Sequence, residues 1–437
     1  MSHSTAYSPS KIALITLGCP KNDVDAETMA GLLQREGFEI VSSLEAADTI
    51  LINTCGFIES ARAESIEAVM KAVRHKQNTG KKLYVWGCLS ERYMDVLKRE
   101  IPEVDGFFGV EPFDTLPAQL LGSLPVKPEN PFRYRLLSTP PHTAYLKIAD
   151  GCDHLCTFCA IPLIKGKYRS RRPESILEET KILAGRGVQE LILIAQDTTA
   201  YGHDLHPETS LVDLLDSLVS IRSIKWIRIL YGHPAHISDD LINFMADEEK
   251  MCRYIDLPLQ HISDPVLKAM GRGMSRNDIT GLLGRIRSRI PDVTLRTTFI
   301  TGFPGETRAH FNELLDFIRE TGFERLGAFA YSPEPGTHAG GLKKRVAKRI
   351  ARARFRKIMQ EQRQISAALN QGLVGSTIPV LIDGYDERKE CFAGRSEGDA
   401  PAIDQMVWVR GNVTAGQIVS VNIEEASDYD LIGSTCV

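Results

Sequence analysis

The chain has 437 residues, 43% of them hydrophobic and 25% charged, which are ordinary globular values, and at ~150 residues per domain it is long enough for about three domains. No run of eighteen apolar residues is present, which excludes a helical membrane span, and the polar start MSHSTAYSPS lacks the apolar segment of a secretory signal, so a cytoplasmic protein is expected. The net charge of −4 excludes little because the charge is unevenly placed, while nine cysteines in a reducing compartment point to metal or catalysis before disulfides.

Residues 1–10 are expected to be a disordered tail. KIALITLGC (11–19), DTILINTC (48–55) and KLYVWGC (82–88) then read as buried strands, each a short run rich in Ile, Leu or Val. The helix-like stretches 26–37 and 59–77 lie between them. Strand, helix and strand at this spacing predict βαβ units and a parallel sheet over 11–123. Each strand ends on a cysteine: Cys19, Cys55 and Cys88. Ligands of open parallel sheets bind beyond the carboxyl ends of the strands, so these three thiols can converge.

The Pro-rich stretch LPVKPENPF opens a linker over 124–140. A second series of six strands, starting at 144, 190, 225, 253, 294 and 325, alternates with helices and fits a partial β/α barrel over 141–340. GLKKRVAKRIARARFRKIMQEQRQISAALNQ holds ten Lys or Arg and one Glu, and reads as a basic connecting helix over 341–370. Its apolar seam is Val346, Ile350, Phe355, Ile358 and Met359, and a solvated linker helix is favoured over a binding helix. The tail, 371–437, alternates short β-runs with turns, as a small antiparallel barrel would. It carries 11 Asp or Glu against 4 Lys or Arg, a net −7.

The loop after the first barrel strand, GCDHLCTFCA, spaces Cys152, Cys156 and Cys159 as C-x3-C-x2-C. Three soft thiolates can hold three irons of a 4Fe–4S cluster and leave one iron open. The competing reading is a zinc site on Cys156 and Cys159 with distant ligands. Singly, Cys19, Cys55 and Cys88 would read as buried core thiols. Together, at equivalent strand ends, they read as a second cluster site that is again one ligand short.

The cysteine loop is similar to the cluster motif of the radical S-adenosylmethionine superfamily, in which the open iron chelates the amino and carboxylate groups of S-adenosyl-L-methionine. Nearly the whole chain resembles the radical methylthiotransferases. The matching stretches are LGCPKNDVDAE (17–27), INTCGFI (52–58), WGCLSERY (86–93), DGCDHLCTFCAIP (150–162) and LPLQHISDPVLKAMGR (257–272), with a last domain that resembles a TRAM domain. One branch of that family modifies a transfer RNA adenosine and typically reads G-C-Q-x-N. The other modifies an aspartate of small-subunit ribosomal protein twelve and reads G-C-P-K-N, as Gly18-Cys19-Pro20-Lys21-Asn22 does here. GRSEGDAPAID (394–404) and YDLIG (429–433) resemble the second branch too.

The resemblance implies an enzyme with two 4Fe–4S clusters. Cys152, Cys156 and Cys159 would be catalytic, holding the cluster that splits S-adenosylmethionine to a 5′-deoxyadenosyl radical. Cys19, Cys55 and Cys88 would hold the second cluster, whose open iron carries the sulfur to be transferred. The implied partner is ribosomal protein twelve, free or within the subunit, and the chemistry also requires an electron donor and a sulfur donor. A basic barrel would suit RNA; an acidic one suits a basic protein, so no tRNA is expected. The alternatives are the tRNA methylthiotransferase and, in another class, a zinc-stabilised ribosome assembly factor without redox chemistry.

Other residues are less specific. Gln196 and Asp197 sit at a strand end and are placed to line the cavity. TTFITGFPGET (297–307) offers Thr301 and Glu306 as S-adenosylmethionine contacts beside Gln196, with an ordinary tight turn as the equal alternative. Gln260 and His261 match a family motif, with a structural histidine the other reading. His203, His206, His233 and His236 pair with no cysteine at ligand spacing and are read as structural. Cys252, Cys391 and Cys436 are read as ordinary thiols. Two departures from the family are Lys165, where Arg is frequent, and His233, where an aromatic is common.

Overall fold

The N-terminal unit is built on parallel strands. The computed structural model describes residues 10–435, so all but Ser10 of the expected tail, and Cys436, lie outside the described residues. Strands β1 (Lys11–Thr16), β2 (Glu39–Val41), β3 (Thr49–Thr54), β4 (Lys82–Gly87) and β5 (Gly106–Phe107) pair in the order β2-β1-β3-β4-β5, all parallel. Helices α1 (Pro20–Arg35), α2 (Glu59–Thr79), α3 (Cys88–Glu100) and α4 (Thr115–Leu121) cover the faces. β3 is buried along its whole length, as a central parallel strand between two helical layers must be. Ile50, Ile52 and Val85 pack against Val69 and Val73 of α2 on one face. On the other, Ile12, Leu51 and Trp86 pack against Met29 and Leu33 of α1. The short strands β2 and β5 went unread in the sequence because they carry almost no apolar run of their own.

In the central unit the first strand, β6 (Thr143–Lys147), feeds the cysteine loop. A two-residue ribbon, β7 (Ala149–Asp150) with β8 (Arg169–Ser170), and the short helix α5 (Ile161–Lys165) frame that loop. Helices α6 (Pro173–Gly185), α7 (Leu211–Val219), α8 (Asp239–Asp247), α9 (Asp264–Met270), α10 (Arg276–Arg289) and α11 (Arg308–Thr321) alternate with β9 (Glu190–Ile194), β10 (Trp226–Ile229), β11 (Met251–Asp256), β12 (Thr294–Thr301) and β13 (Arg325–Ala330). The six strands form an open parallel sheet in the order β13-β12-β11-β10-β9-β6. Ile192, Ile194 and Tyr254 pack with Val24 of α1 and with Leu381 and Ala400 of the last domain. Both flanking units therefore reach this one apolar cluster.

The linker expected over 124–140 is only partly a linker. Its second half folds into a turn at Pro131–Tyr134, and Arg135 is fully buried, donating to Glu27 of α1 and Glu179 of α6. The connecting helix, α12 (Lys348–Gly372), begins seven residues later than the pattern suggested. Of its seam, Ile358 is buried and Phe355 and Met359 pack on the barrel core, while Ile350 faces solvent.

The C-terminal unit is a closed barrel of β14 (Thr377–Asp386), β15 (Cys391–Ser396), β16 (Val407–Arg410), β17 (Ile418–Ala426) and β18 (Leu431–Thr435). It is mixed rather than purely antiparallel, because β16 and β18 run parallel. No helix of the described residues is long and apolar enough to cross a membrane.

Candidate functional site

Cys152, Cys156 and Cys159 lie half-buried on the loop beyond β6, at the carboxyl end of the barrel. The loop is held at many points. The N–H of Cys152 donates to the Gly166 carbonyl at 3.1 Å, that of Thr157 to Met270 at 3.0 Å, and Thr157 Oγ1 to Ala269 at 2.8 Å. Arg272, mostly buried, donates from Nη1 to Cys156 Sγ at 3.5 Å and from Nη2 to the Pro258 carbonyl at 2.8 Å. Burial pushes the Cys152 thiol up to about 11 and the Cys159 thiol up to about 12, against hydrogen bonds from the N–H groups of His154 and Ile161.

The second trio follows from the sheet. In register, Thr16 pairs with Asn53, and Asn53 and Thr54 with Trp86 and Gly87. Cys19 therefore caps α1, Cys55 follows β3, and Cys88 opens α3, all on one edge. The packing is close. A Cβ on Gly18, whose φ is +108°, would lie 2.8 Å from Cys55 Cβ and 3.1 Å from its Sγ. Burial raises Cys55 and takes Cys88 up to about 12. Cys88 packs against Ala160, the neighbour of Cys159, and Ile164. The two cysteine sites thus meet at one domain boundary.

These donor sets fit iron–sulfur clusters. In tetrahedral zinc the thiolates stand ~3.8 Å apart. Among the described residues, no three cysteine sulfurs lie within 4.8 Å of one another. Each trio therefore spans more than one ion and offers soft sulfur alone. Neutral buried thiols must lose protons to bind metal, and the bound metal then compensates the thiolate charge.

A buried charge cluster fills the boundary. Lys147 donates to Asp25, to Glu111 at 2.6 Å and to Asp150 at 3.4 Å. Lys165 donates to Asp150 at 2.8 Å and to Asp25 at 3.4 Å. Asp25, Glu111 and Asp150 could otherwise share a cation, and the two ammonium groups take its place. Lys165 thus serves as a buried counterion, which one ammonium can do without a guanidinium fork. Lys21 is different. Its ammonium lies 3.5 Å from the Tyr231 ring centroid and 3.4 Å from the Ala195 carbonyl. Burial draws its pKa below the usual lysine range.

The histidines sort differently from the sequence grouping. His154, inside the cysteine loop, donates from Nε2 to Asp197 Oδ2 at 2.7 Å, and His236 donates from Nδ1 to the same oxygen at 2.8 Å. His233 stacks on His154 with centroids 3.9 Å apart. These four donor atoms lie within 4.8 Å. Ligands of tetrahedral zinc with nitrogen donors stand ~3.3 Å apart, so contacts of 2.7 and 2.8 Å are hydrogen bonds that brace the loop. Burial would raise Asp197, but hydrogen bonds from His154, His236 and Thr199 outweigh it and hold the carboxyl well below its usual range. His154 was missed because its neighbours are 43 to 82 residues away in sequence. His203 lies against the Tyr168 ring instead, at 4.9 Å.

Gln196 is half-buried just beyond β9, and its amide makes no side-chain hydrogen bond among the described residues. Thr301 is fully buried and donates to the Ala351 carbonyl of α12 at 3.0 Å. Glu306 accepts from the N–H groups of Gly302 and Phe303 and pairs with Arg354 at 3.0 Å. Both side chains thus tie the Gly302–Gly305 turn to α12. His261 is fully buried and its Nδ1 accepts from the Ser263 N–H at 3.0 Å.

Family models match the chain in three places: the uncharacterized protein family UPF0004 over 11–109, the radical SAM superfamily over 146–318 and the TRAM domain over 374–436. The chain is similar to the ribosomal protein uS12 methylthiotransferase RimO of Geotalea uraniireducens strain Rf4, with 44% identity over 439 residues, 97% of this chain and 98% of that protein. It is also 44% identical over 426 residues to the protein of the same name from Aquifex aeolicus strain VF5, covering 97% of this chain and 96% of that one. Among solved structures, the radical S-adenosylmethionine methyltransferase TsrM from Kitasatospora setae aligns with a TM-score of 0.57 at 14% identity, over 84% of this chain and 76% of that one, a likeness of fold alone. Identity of this extent along the full length of these relatives, with all three domains in place, means that the chain belongs to the RimO family of ribosomal protein uS12 methylthiotransferases, enzymes of the radical S-adenosylmethionine superfamily.

Proposed function

We propose that this protein methylthiolates the β-carbon of an aspartate in ribosomal protein uS12, using two 4Fe–4S clusters and S-adenosylmethionine. Cys152, Cys156 and Cys159 would hold one cluster and Cys19, Cys55 and Cys88 the other. Bound there, the first supplies the electron that cleaves S-adenosylmethionine, and the second supplies an open iron for the sulfur to be transferred. The observation that carries the reading is the meeting of two three-thiol sites at one boundary, with Cys88 packed on Ala160.

The chain's own residues have definable tasks. Arg272 and the braced loop fix the orientation of Cys156. The Lys147 and Lys165 ion pairs lock α1, which Cys19 caps, to β6 and α5 on either side of the other trio. Gln196, at the open end of β9, is the remaining polar candidate for the S-adenosylmethionine head group. Thr301 and Glu306 would act through the shape of their turn.

The test is iron and sulfide content of anaerobically purified protein beside a Cys19, Cys55, Cys88 triple Ala variant, followed by mass spectrometry of uS12. Expected are about eight irons per chain falling to about four, and a gain of one SCH2 unit on uS12 with the wild type alone. Zinc without iron, or an iron count indifferent to the triple change, would overturn the reading.

A further inference from the structure

Three lysines are buried at the boundary between the two trios, and two of them are fully paired. Lys147 and Lys165 each reach at least two carboxylates. Lys21, only 6% exposed, has no carboxylate oxygen within 4.0 Å among the described residues. It has one long hydrogen bond, to Ala195, and a ring face. A buried ammonium so thinly solvated is costly unless something anionic joins it.

Its surroundings are built rather than incidental. Lys21 is two residues from Cys19 and is the second residue of α1. Ala195 directly follows β9, one residue before Gln196, and Tyr231 lies just beyond β10. Tyr231 holds φ at +63°, a left-handed conformation rare for an aromatic residue, and its N–H donates to Asp256 at 3.0 Å. Such strain persists only where the surroundings fix it, and it collects at ligand sites. The ring that carries the ammonium is therefore aimed by its own backbone.

We infer that Lys21, seated on Tyr231, is a carboxylate-binding site that holds the side chain of the substrate aspartate between the two cysteine sites. This rests on the function proposed above and deepens it. The β-carbon of an aspartate bears its carboxylate directly. An ammonium that fixes the carboxylate therefore fixes the reacting carbon within one bond, and a neutral asparagine forfeits the contact. The other carboxylate at hand is that of S-adenosylmethionine, and the experiment separates the two.

The test uses full-length, anaerobically reconstituted protein with uS12 carrying Asp or Asn at the modified position. Wild type, Lys21→Met and Lys21→Arg are compared for iron content, S-adenosylmethionine affinity and uS12 affinity. Met keeps the length and the ring contact without the charge. Charged hydrogen bonds of this kind correspond to roughly ten- to hundredfold in affinity. The wild type should prefer Asp over Asn by that factor. The preference should collapse toward unity in Lys21→Met, return in part in Lys21→Arg, and leave iron and S-adenosylmethionine affinity unchanged. An intact preference in Lys21→Met overturns the site. So does a loss of S-adenosylmethionine affinity without uS12, which assigns the carboxylate to the cofactor, or a loss of iron, which makes Lys21 structural. A wild type that fails to methylthiolate uS12 overturns instead the function on which the site rests.

Discussion

Glu190 is the pivot between the central and C-terminal barrels, and removing its charge should loosen them. It is fully buried at the start of β9. Its Oε1 accepts from Arg228 Nε and Nη2, both at 3.2 Å, and from Arg395 Nη1 at 3.1 Å. Its Oε2 accepts from Arg395 Nη2 at 2.7 Å and Thr143 Oγ1 at 3.1 Å. Arg395 belongs to β15 and also meets Asp383 at 2.7 Å. Glu190→Gln would leave the buried Arg395 with Asp383 as its one carboxylate and the buried Arg228 with none, only the Ser396 and Glu397 carbonyls. Breaking a buried pair by removing one partner costs about 3–5 kcal/mol. At about 2–4 °C per kcal/mol for a unit of 150–250 residues, the melting temperature should fall by roughly 6 °C or more. Scanning fluorimetry reads the melting temperature, and limited proteolysis should release the C-terminal barrel at earlier times. Glu424→Gln is the control, because its partner Arg410 is more than half exposed, and such pairs are worth about 0–1 kcal/mol. A Glu190→Gln variant that melts within 2 °C of wild type and resists protease equally would refute the idea that this network holds the barrels together.

Two further outcomes follow from local geometry. His261 is neutral in the fold, with burial taking its pKa down to about 3, whereas the unfolded chain protonates near 6.5. A depressed histidine contributes stability that is full above pH 6.5 and is lost as the pH falls from there toward 3. At pH 5.5 the loss is about 1.4 kcal/mol, so His261→Asn, which keeps an acceptor for the Ser263 N–H, should flatten the melting-temperature slope between pH 7.5 and 5.5; an unchanged slope counts against a buried neutral imidazole. Gly18→Ala would press a methyl group on Cys55 at a φ of +108° and should lower iron toward four per chain while the protein stays folded by circular dichroism; full iron content would show that the second site does not need this close approach.

Much of this architecture was legible because periodicity and cysteine placement are local signals. Cys55 sits beyond the apolar run TILI, and C-x3-C-x2-C fits within ten residues, so both cysteine sets stand out in the sequence itself. What stayed hidden depends on long-range partners. Thr301 and Glu306 stand at a strand end, and no local pattern reveals that Ala351 and Arg354, 48 to 50 residues later, engage them. The Pro-rich stretch read as a linker because nothing local reveals that Arg135 meets Glu27 across 108 residues. The acidic tail is the sharpest case. Of its eleven acidic residues, Asp399 and Asp404 pair with Arg325 and Arg296 of the central barrel, and Asp383 pairs with Arg395 of its own barrel. Asp399 and Asp404 thus act in docking at a low-dielectric contact, where a charge serves its nearest partner first. Much of GRSEGDAPAID is therefore a docking segment. Its Arg395, Ser396, Glu397, Asp399 and Asp404 hold the C-terminal barrel against Glu190, Arg228, Arg325 and Arg296 of the central strands.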